Sequence, residues 1–434
     1  MRSQQTPLYS CHWLRNPLSA ASTLARNNDE QSADQLGILP EFRHIRMRKS
    51  HTLGAVSKEQ VHALYGKKLR LSASQVDRQA ECRLSYFLKY GLRAQERKEA
   101  SVDPAEFGTY VHAVLEQTAR EIMGKGGFHQ VSLEDTISIA MDYSETYLHE
   151  HFGALDSQRL EYLFRRNVQE LEMVVKELWR ELSQSAFEPM HFELQFDDHG
   201  LMPGIDIPNG KIDAVLRGFV DRVDVWRRGD SSYFRVVDYK TGKKNFDYCD
   251  VFNGVGLQML LYLFALEKAG ETVIPGQRIS AGVQYFPARA PYVSVDGKLS
   301  DEEADVARKK LWKRSGLLLA DEETLCAMDA SPKMDILSCS KLKDGTLTGD
   351  VADRQQFGLL SDYIMRLLGN MAEDIASGNV TPNPYTRGSS HNACTFCPYG
   401  AVCHAETVEG RRNYKSMTAQ RFWEEIEKEG ANHE

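Results

Sequence analysis

Long apolar runs are missing from this chain of 434 residues. The longest, residues 259–266, falls far short of the ~20 apolar residues that span a bilayer. No apolar segment near the N-terminus has the form of a secretory signal, so neither secretion nor a membrane role is expected. Phosphate-binding loops of the Walker type are missing too. Gly-Lys pairs begin at Gly66, Gly124, Gly210, Gly242 and Gly297, and none is followed by Ser or Thr, which excludes a P-loop ATPase. Cysteine is scarce, with eight residues, too few for a disulfide scaffold of this size. An excess of basic charge is also lacking. Lys and Arg number 53 against 61 Asp and Glu, for a net charge of −8. That argues against a non-specific basic DNA coat and leaves room for a local cationic channel. Residues 1–28 hold Arg2, Arg15 and Arg26 and no acid, yet show no amphipathic period, so a cytoplasmic address is expected over an organellar one.

What is present is ordinary globular composition, 42% hydrophobic and 26% charged, which excludes a wholly disordered or collagen-like chain. Residues 1–56 show little beyond a polar linker at 27–32 and are expected to be a poorly defined N-terminal stub that need not be ordered. Helices are expected at 60–65, then from an N-cap at Ser72 through Cys82 with Leu84, Phe87 and Leu88 on its apolar stripe. Further helices are expected at 106–122, with Val111, Leu115 and Thr118 inward, and at 159–182, with Leu163, Leu171, Val174 and Leu178 at helical spacing. Two more fit 355–375, stopped near Gly378, and 418–428. Strands are expected at 191–196, where Phe192, Leu194 and Phe196 alternate with polar residues, and at 218–226, 233–240 and 279–286. Residues 257–266 are apolar nearly all round and read as a buried helix. The order helix, strands, helix, strand is that of an α/β layer.

Residues 217–243 carry the most information. Arg228-Gly229-Asp230-Ser231 is a turn signal between two β-prone runs. A hairpin centred there sets Trp226 against Tyr233, Asp224 against Arg235 and Val223 against Val236, each favourable by roughly 0.2–1 kcal/mol. The same register sets Asp221 against Asp238, two like charges at about 4.5–5.5 Å between Cβ atoms. A divalent cation, Mg²⁺ or Mn²⁺, between the carboxylates removes that penalty. Lys240 lies on the same face as Asp238 and can orient a water or offset charge on a phosphate. His112 and Glu116 share a helical face, as do Gln258 and Tyr262 on the apolar helix. Buried polar groups on such a helix need partners. Gly218, Lys243 and Lys244 flank the hairpin strands and are candidates for touching a nucleic-acid backbone. The competing reading is a surface hairpin with scattered charges, solvated lysines, and a Gln and Tyr satisfied by main chain.

Cys394, Cys397 and Cys403 form a C-x₂-C-x₅-C triplet in a Pro- and Gly-containing loop, a strong metal signal. A Cys₄ site needs a fourth thiolate, for which Cys82 is the candidate, since Cys249, Cys326 and Cys339 lack comparable context. Tetrahedral thiolates suit Zn²⁺ or an iron–sulfur cluster, and spacing does not decide between them. On the chain-entropy account of crosslinks, joining Cys82 to the triplet stabilises by about 5–6 kcal/mol.

Together these residues resemble a family. Ser72-x-Ser74, Cys82, Tyr86-Phe87, Tyr90-Gly91-Leu92, Gly108-Thr109-x-x-His112-x-x-Leu115-Glu116, Gly218-x-x-Asp221-Arg222-x-Asp224, Asp238-Tyr239-Lys240-Thr241-Gly242, Gln258-x-x-x-Tyr262 and the terminal cysteines span roughly residues 57–428. They are similar to RecB-type PD-(D/E)XK nucleases with an iron–sulfur staple, of the kind found in AddAB-type helicase–nucleases. The resemblance implies an α/β fold with an αβββαβ core, a central mixed sheet flanked by helices, and helical insertions. It implies a nuclease domain over 57–408, closed by a [4Fe-4S] cluster on Cys82, Cys394, Cys397 and Cys403, and a helical tail over 409–434. His112, Asp221 and Asp238 are implied as ligands of Mg²⁺, Lys240 as the catalytic lysine, and Gln258 and Tyr262 as the family's Q-x-x-x-Y motif. The implied activity is Mg²⁺-dependent exonuclease cleavage of unwound single strands of DNA, with an AddA-type helicase–nuclease subunit as partner, in recombinational break repair. Full-length relatives carry a large helicase-like region ahead of the nuclease, so a fragment, or a gene broken upstream of residue 57, is expected. A zinc-stapled, non-catalytic DNA-binding scaffold and a stand-alone RecB-like nuclease are the alternatives.

Overall fold

The computed structural model describes residues 17–50, 55–95, 104–152, 158–208, 212–291, 300–388, 391–403 and 410–431; Arg2, Cys11 and Arg15 lie outside them. Two compact units emerge, residues 1–56 with 379–381, and residues 57–378 with 382–434. In the first unit, α1 (Pro17–Arg26), α2 (Glu30–Gln35) and α3 (Leu39–Ser50) close on a small apolar centre that includes Leu24, Ala33 and Phe42. Asp29 starts α2 by accepting the Ser32 amide at 3.0 Å, so the polar stretch at 27–32 is a capping turn and a helix start.

The second unit begins with α4 (Lys58–Tyr65), β1 (Lys68–Ser72), α5 (Ala73–Glu81) and α6 (Arg83–Tyr86). Three long helices follow: α7 (Pro104–Gly124), α8 (Leu133–Phe152) and α9 (Gln158–Leu182). The strands β2 (Glu188–Phe196), β3 (Ile205–Asp206), β4 (Asp213–Arg228) and β5 (Ser231–Lys240) come next, then α10 (Tyr248–Phe252), α11 (Gln258–Ala269) and β6 (Gln277–Pro287). Beyond them lie α12 (Asp301–Leu311), β7 (Ser315–Leu319), α13 (Glu322–Met328), β8 (Cys339–Lys341), β9 (Leu347–Gly349), β10 (Val351–Ala352) and α14 (Arg354–Ala376). The chain ends through β11 (Tyr385–Arg387), β12 (His391–Asn392), α15 (Gly400–Cys403), β13 (Arg412–Asn413) and α16 (Ala419–Ala431). Among the described residues no helix is long and apolar enough to cross a membrane.

One mixed sheet runs β1-β4-β5-β6-β7-β10, with β2 and β3 also paired to β4. β1 lies parallel to β4, and β5 to β6; β2 and β5 are antiparallel to β4. Helices cover it in two clusters. Phe234, Val236 and Val283 pack with Leu260 and Leu263 of α11 and Leu360 and Ile364 of α14. Val237, Tyr239 and Phe286 pack with Val111 and Leu115 of α7 and Leu171, Val174 and Leu178 of α9. This is the expected mixed sheet flanked by helices. The helix expected to run from Ser72 through Cys82 breaks there. Ser72 caps α5 in a reciprocal pair with Gln75, but Cys82 is extended (φ −168°, ψ 123°), and α6 and a π-helical turn over Phe87–Gly91 carry the apolar stripe onward.

A closed ionic network joins α9 to the sheet. Glu181 accepts from Arg222 at 3.0 Å, from Arg235 at 2.8 Å and from Arg314 at 2.8 Å, and all four side chains are fully buried. Asp224 takes Arg222 at 2.8 Å and Arg235 at 2.9 Å, so the expected cross-strand pair is one edge of a larger cluster. Burial by itself would raise Glu181, but the guanidiniums of Arg314, Arg235 and Arg222 hold it down at about 2. Removing one member leaves the others buried without compensation, which costs about 3–5 kcal/mol. Glu181→Ala is therefore expected to lower the unfolding free energy by that amount in urea titration. A loss under about 1 kcal/mol would show that the network is not closed in solution.

Candidate active site

The hairpin turns at Gly229, whose φ of 57° is left-handed and unstrained only for glycine. Its register is the expected one: Trp226 faces Tyr233, Asp224 faces Arg235 and Val223 faces Val236. The ladder ends at Arg222 and Val237, one residue before the two acids would meet. There the Asp221 carboxylate accepts the backbone N–H of Tyr239 at 3.0 Å, a donor that a continued ladder would pair with a main-chain carbonyl. Like charges directly opposed are unfavourable, which gives the ladder a reason to stop where it does.

His112, on α7, meets this opening. Its Nδ1 lies 3.4 Å from Asp221 Oδ2, and its Nε2 lies 2.8 Å from the Tyr239 carbonyl oxygen. In the tautomer that donates Nε2–H to that carbonyl, a lone pair on Nδ1 faces a carboxylate oxygen. Such a meeting calls for a proton or a cation between the two atoms. The Tyr239 hydroxyl accepts from Arg222 at 3.1 Å. Tyr239 is thus held at its amide, its carbonyl and its ring oxygen, and the last contact ties the site to the buried network. Asp238 is 3% exposed, with Oδ2 2.5 Å from the half-buried Lys240 ammonium. Burial first, then the charge on Asp221, pushes Asp238 up to about 6 against the pull of Lys240 and His112.

A third acid belongs to the cluster and was not among the sequence candidates. Glu193 lies on β2 between the pairs Phe192–Arg222 and Leu194–Val220, level with Asp221. Ligand atoms of His112, Glu193 and Asp221 all fall within 4.8 Å of one another. Its side chain is accessible but crowded. Partial desolvation first, then the charges of Asp221 and Glu116, push it up to about 7. Glu193 has φ 47°, which breaks the pleat. Phe192 consequently joins the α7–α9 cluster while Leu194 and Phe196 join the other, correcting the simple alternation expected for this strand. Among β-prone residues a single Glu gives no sign of such a kink.

On α11, Gln258 donates to the Tyr262 hydroxyl at 3.4 Å. Burial first, with contributions from Asp238 and Asp221, raises that hydroxyl to about 12. Asp77 fixes the start of this helix by accepting the amides of Gly256 at 3.0 Å and Leu257 at 3.3 Å. Gly218 packs closely against this helix. A Cβ on it would come within 2.7 Å of the Tyr262 ring and 2.9 Å of Phe196.

The candidate thiols also converge. Cys82, Cys394, Cys397 and Cys403 line one cavity whose other walls include Leu84, Pro382, Pro384 and Tyr399. Protein contacts hold its two halves together: the Arg83 amide donates to Asn383 at 2.9 Å, and the Tyr399 hydroxyl donates to the Ala94 carbonyl at 2.8 Å. Burial, then the neighbouring Cys82 thiol, raises Cys394. Four clustered thiols in an apolar wall are the donor set of a tetrahedral metal or cluster site.

Comparison with known proteins adds two findings. A family profile described as the PD-(D/E)XK nuclease superfamily matches residues 70–404. Relatives named as the B subunit of an ATP-dependent helicase/deoxyribonuclease cover most of the chain. That of Thermoanaerobacter sp. (strain X514) is 32% identical over 88% of this chain and 34% of its own length. That of Clostridium tetani is 31% identical over 88% and 33%, and that of Moorella thermoacetica is 36% identical over 80% and 31%. The chain spans about a third of the length of these curated relatives.

Asp238 and Glu193 both sit above their ordinary range. Without a cation the folded chain therefore binds more protons than the unfolded one near neutral pH, and stability falls as pH rises through these values. The melting temperature of chelator-treated protein is expected to fall between about pH 5 and pH 8, less steeply in Glu193→Gln. Scanning calorimetry at several pH values checks this, and an identical slope in the variant would contradict it.

Proposed function

The chain belongs to the PD-(D/E)XK nuclease superfamily, and from that premise we propose that it is a Mg²⁺-dependent DNA exonuclease domain. It hydrolyses phosphodiester bonds of unwound single strands as part of an AddAB-type helicase–nuclease, paired with an AddA-type subunit, in cytoplasmic double-strand-break repair by homologous recombination. The observation that carries this reading is the convergence of His112, Asp221, Asp238 and Lys240 at the open end of one hairpin.

The donor set fits a hard divalent cation: ligand atoms of His112, Glu193 and Asp221 lie within 4.8 Å of one another, and Asp238, whose pKa the charge of Asp221 raises, would add a carboxylate at the same hairpin end. Mg²⁺ or Mn²⁺ bound there lowers the pKa of a water and neutralises charge on the scissile phosphate. The chain's own residues do the rest. Lys240 places an ammonium beside Asp238, where it meets phosphate oxygens and orients the attacking water. Asp221 and His112 fix Tyr239 at its amide and at its carbonyl. Glu193 supplies a further carboxylate that can hold a proton near neutral pH. Gln258 and Tyr262 present linked polar heads toward the acids from the apolar helix.

Cys82, Cys394, Cys397 and Cys403 are proposed to hold a [4Fe-4S] cluster, on the support of their common cavity. Its part is structural, stapling the start of the nuclease unit to its end.

Asp238→Ala and Lys240→Ala are each expected to abolish Mg²⁺-dependent degradation of end-labelled single strands, with far-UV dichroism unchanged. Undiminished cleavage in both would defeat the assignment. The purified chain is expected to be brown and to contain iron and sulfide. Cys82→Ser should lose iron and stability as fully as Cys397→Ser. Colourless protein containing zinc, or full iron retention in Cys82→Ser, would overturn the cluster assignment.

A further inference from the structure

Three stretches of chain, remote in sequence, bring cations to one groove. Lys243 and Lys244 come from the segment between β5 and α10, Arg289 follows β6, and Lys310 and Lys313 come from the end of α12 and the residues after it. The groove has a volume of about 920 Å³ and begins at Lys240 itself. Among the described residues, Asp350 is the one acid in its lining. Lys240 is engaged by Asp238 and Arg289 by Glu170 at 3.1 Å. Lys243, Lys244, Lys310 and Lys313 form no ion pair among the described residues, and Lys244 feels the charge of the buried Asp77, which burial raises to about 6. A chain of net charge −8 thus concentrates cations without ion-pair partners along one concavity continuous with the site.

The lining also indicates which part of a ligand is recognised. Of its three rings, Tyr285 and Phe286 are 6% and 0% exposed, and the partly buried Phe246 is packed edge-on against Tyr248 at 5.1 Å. Several ammonium groups beside a single partly exposed ring suit the phosphates of a backbone more than a run of stacked bases, and so favour sequence-independent contact. A strand with one phosphate beside Lys240 must carry its neighbouring phosphates outward, and this groove offers them counter-charges in series.

We propose that this groove is the track for the sugar–phosphate backbone of the strand being cut, with Lys243, Lys244, Lys310 and Lys313 holding the phosphates next to the scissile one. The proposal rests on the nuclease reading of the site and adds where the substrate lies.

The test uses the full chain and a fluorescent oligothymidylate, with binding read by anisotropy in chelator so that nothing is cut. The Lys243→Glu/Lys244→Glu and Lys310→Glu/Lys313→Glu pairs are each expected to weaken binding about tenfold or more. The slope of log affinity against log salt should fall by ~0.7 for each phosphate no longer engaged. The corresponding Lys→Arg pairs should bind as wild type does. With Mg²⁺, the Glu variants should show a raised KM and a kcat within about twofold of wild type. Unchanged affinity and salt slope would overturn the track, as would variants that bind the strand normally but no longer retain a helicase subunit, which would make the groove a protein interface. Lysine-dependent binding by a wild-type chain that cuts nothing would support the track and defeat the nuclease reading. Cutting that ignores these lysines would do the reverse.

Discussion

One hydrogen bond organises the site: the Asp221 carboxylate takes the Tyr239 amide just where the β4–β5 ladder ends. Had the ladder continued, that amide would have gone to a main-chain carbonyl and the two acids would have stood directly opposed, at a cost. On its other edge β5 pairs with β6 as far as Lys240 and Pro287. Diverting the donor to a side chain leaves Asp221, Asp238 and the Tyr239 carbonyl around one opening. The arrangement is oxygen-rich, and a ring nitrogen of His112 faces it. Electrostatically it is a cluster of acids and a histidine that could hold a hard cation.

What holds the opening in place lies on the other side of the same strands. Arg222 and Asp224 alternate with Asp221 and Val223 along β4, and Arg235 and Val237 precede Asp238 on β5. The residues that face away from Asp221 and Asp238 therefore enter the buried cluster around Glu181. Buried ion pairs are weak contributors to net stability, because desolvation offsets their attraction. Their value lies in geometry, since the interlocked charges of Glu181, Asp224, Arg222, Arg235 and Arg314 admit one strand register. The Arg222–Tyr239 contact carries that constraint to the peptide unit between Asp238 and Lys240. Tertiary packing from α9 and β7 thereby bears on chemistry at the hairpin end.

The legible parts of the molecule are those fixed by local pattern. The Gly229 turn and the aromatic and ionic pairs beside it specify the hairpin register residue by residue, and the apolar run of α11 declares a buried helix. The C-x₂-C-x₅-C triplet points to a clustered thiol site, and Cys82 does lie in the same cavity. Features set by distant contacts are not legible. The place of Glu193 depends on a local kink, φ 47°, and on pairing with β4 that sets it level with Asp221. β1 has only two inward residues, Leu69 and Leu71, and is fixed by parallel pairing with a strand more than a hundred residues away. α8 falls outside the expected helices, although Ser132 accepts the Asp135 amide at 3.1 Å as an N-cap, a start signal present in the sequence. The cationic groove is assembled from three segments, of which only Lys243 and Lys244 stand near a motif.

Anomalous diffraction from crystals soaked in Mn²⁺ reads the central claim most directly, because Mn²⁺ marks a hard-cation site by its own scattering. We expect a single strong peak within ligand distance, about 2.0–2.2 Å, of oxygens from both Asp221 and Asp238, with His112 and Glu193 completing the shell. No peak at the hairpin end, or one bound by surface acids elsewhere, would contradict the assignment of this opening as the metal site.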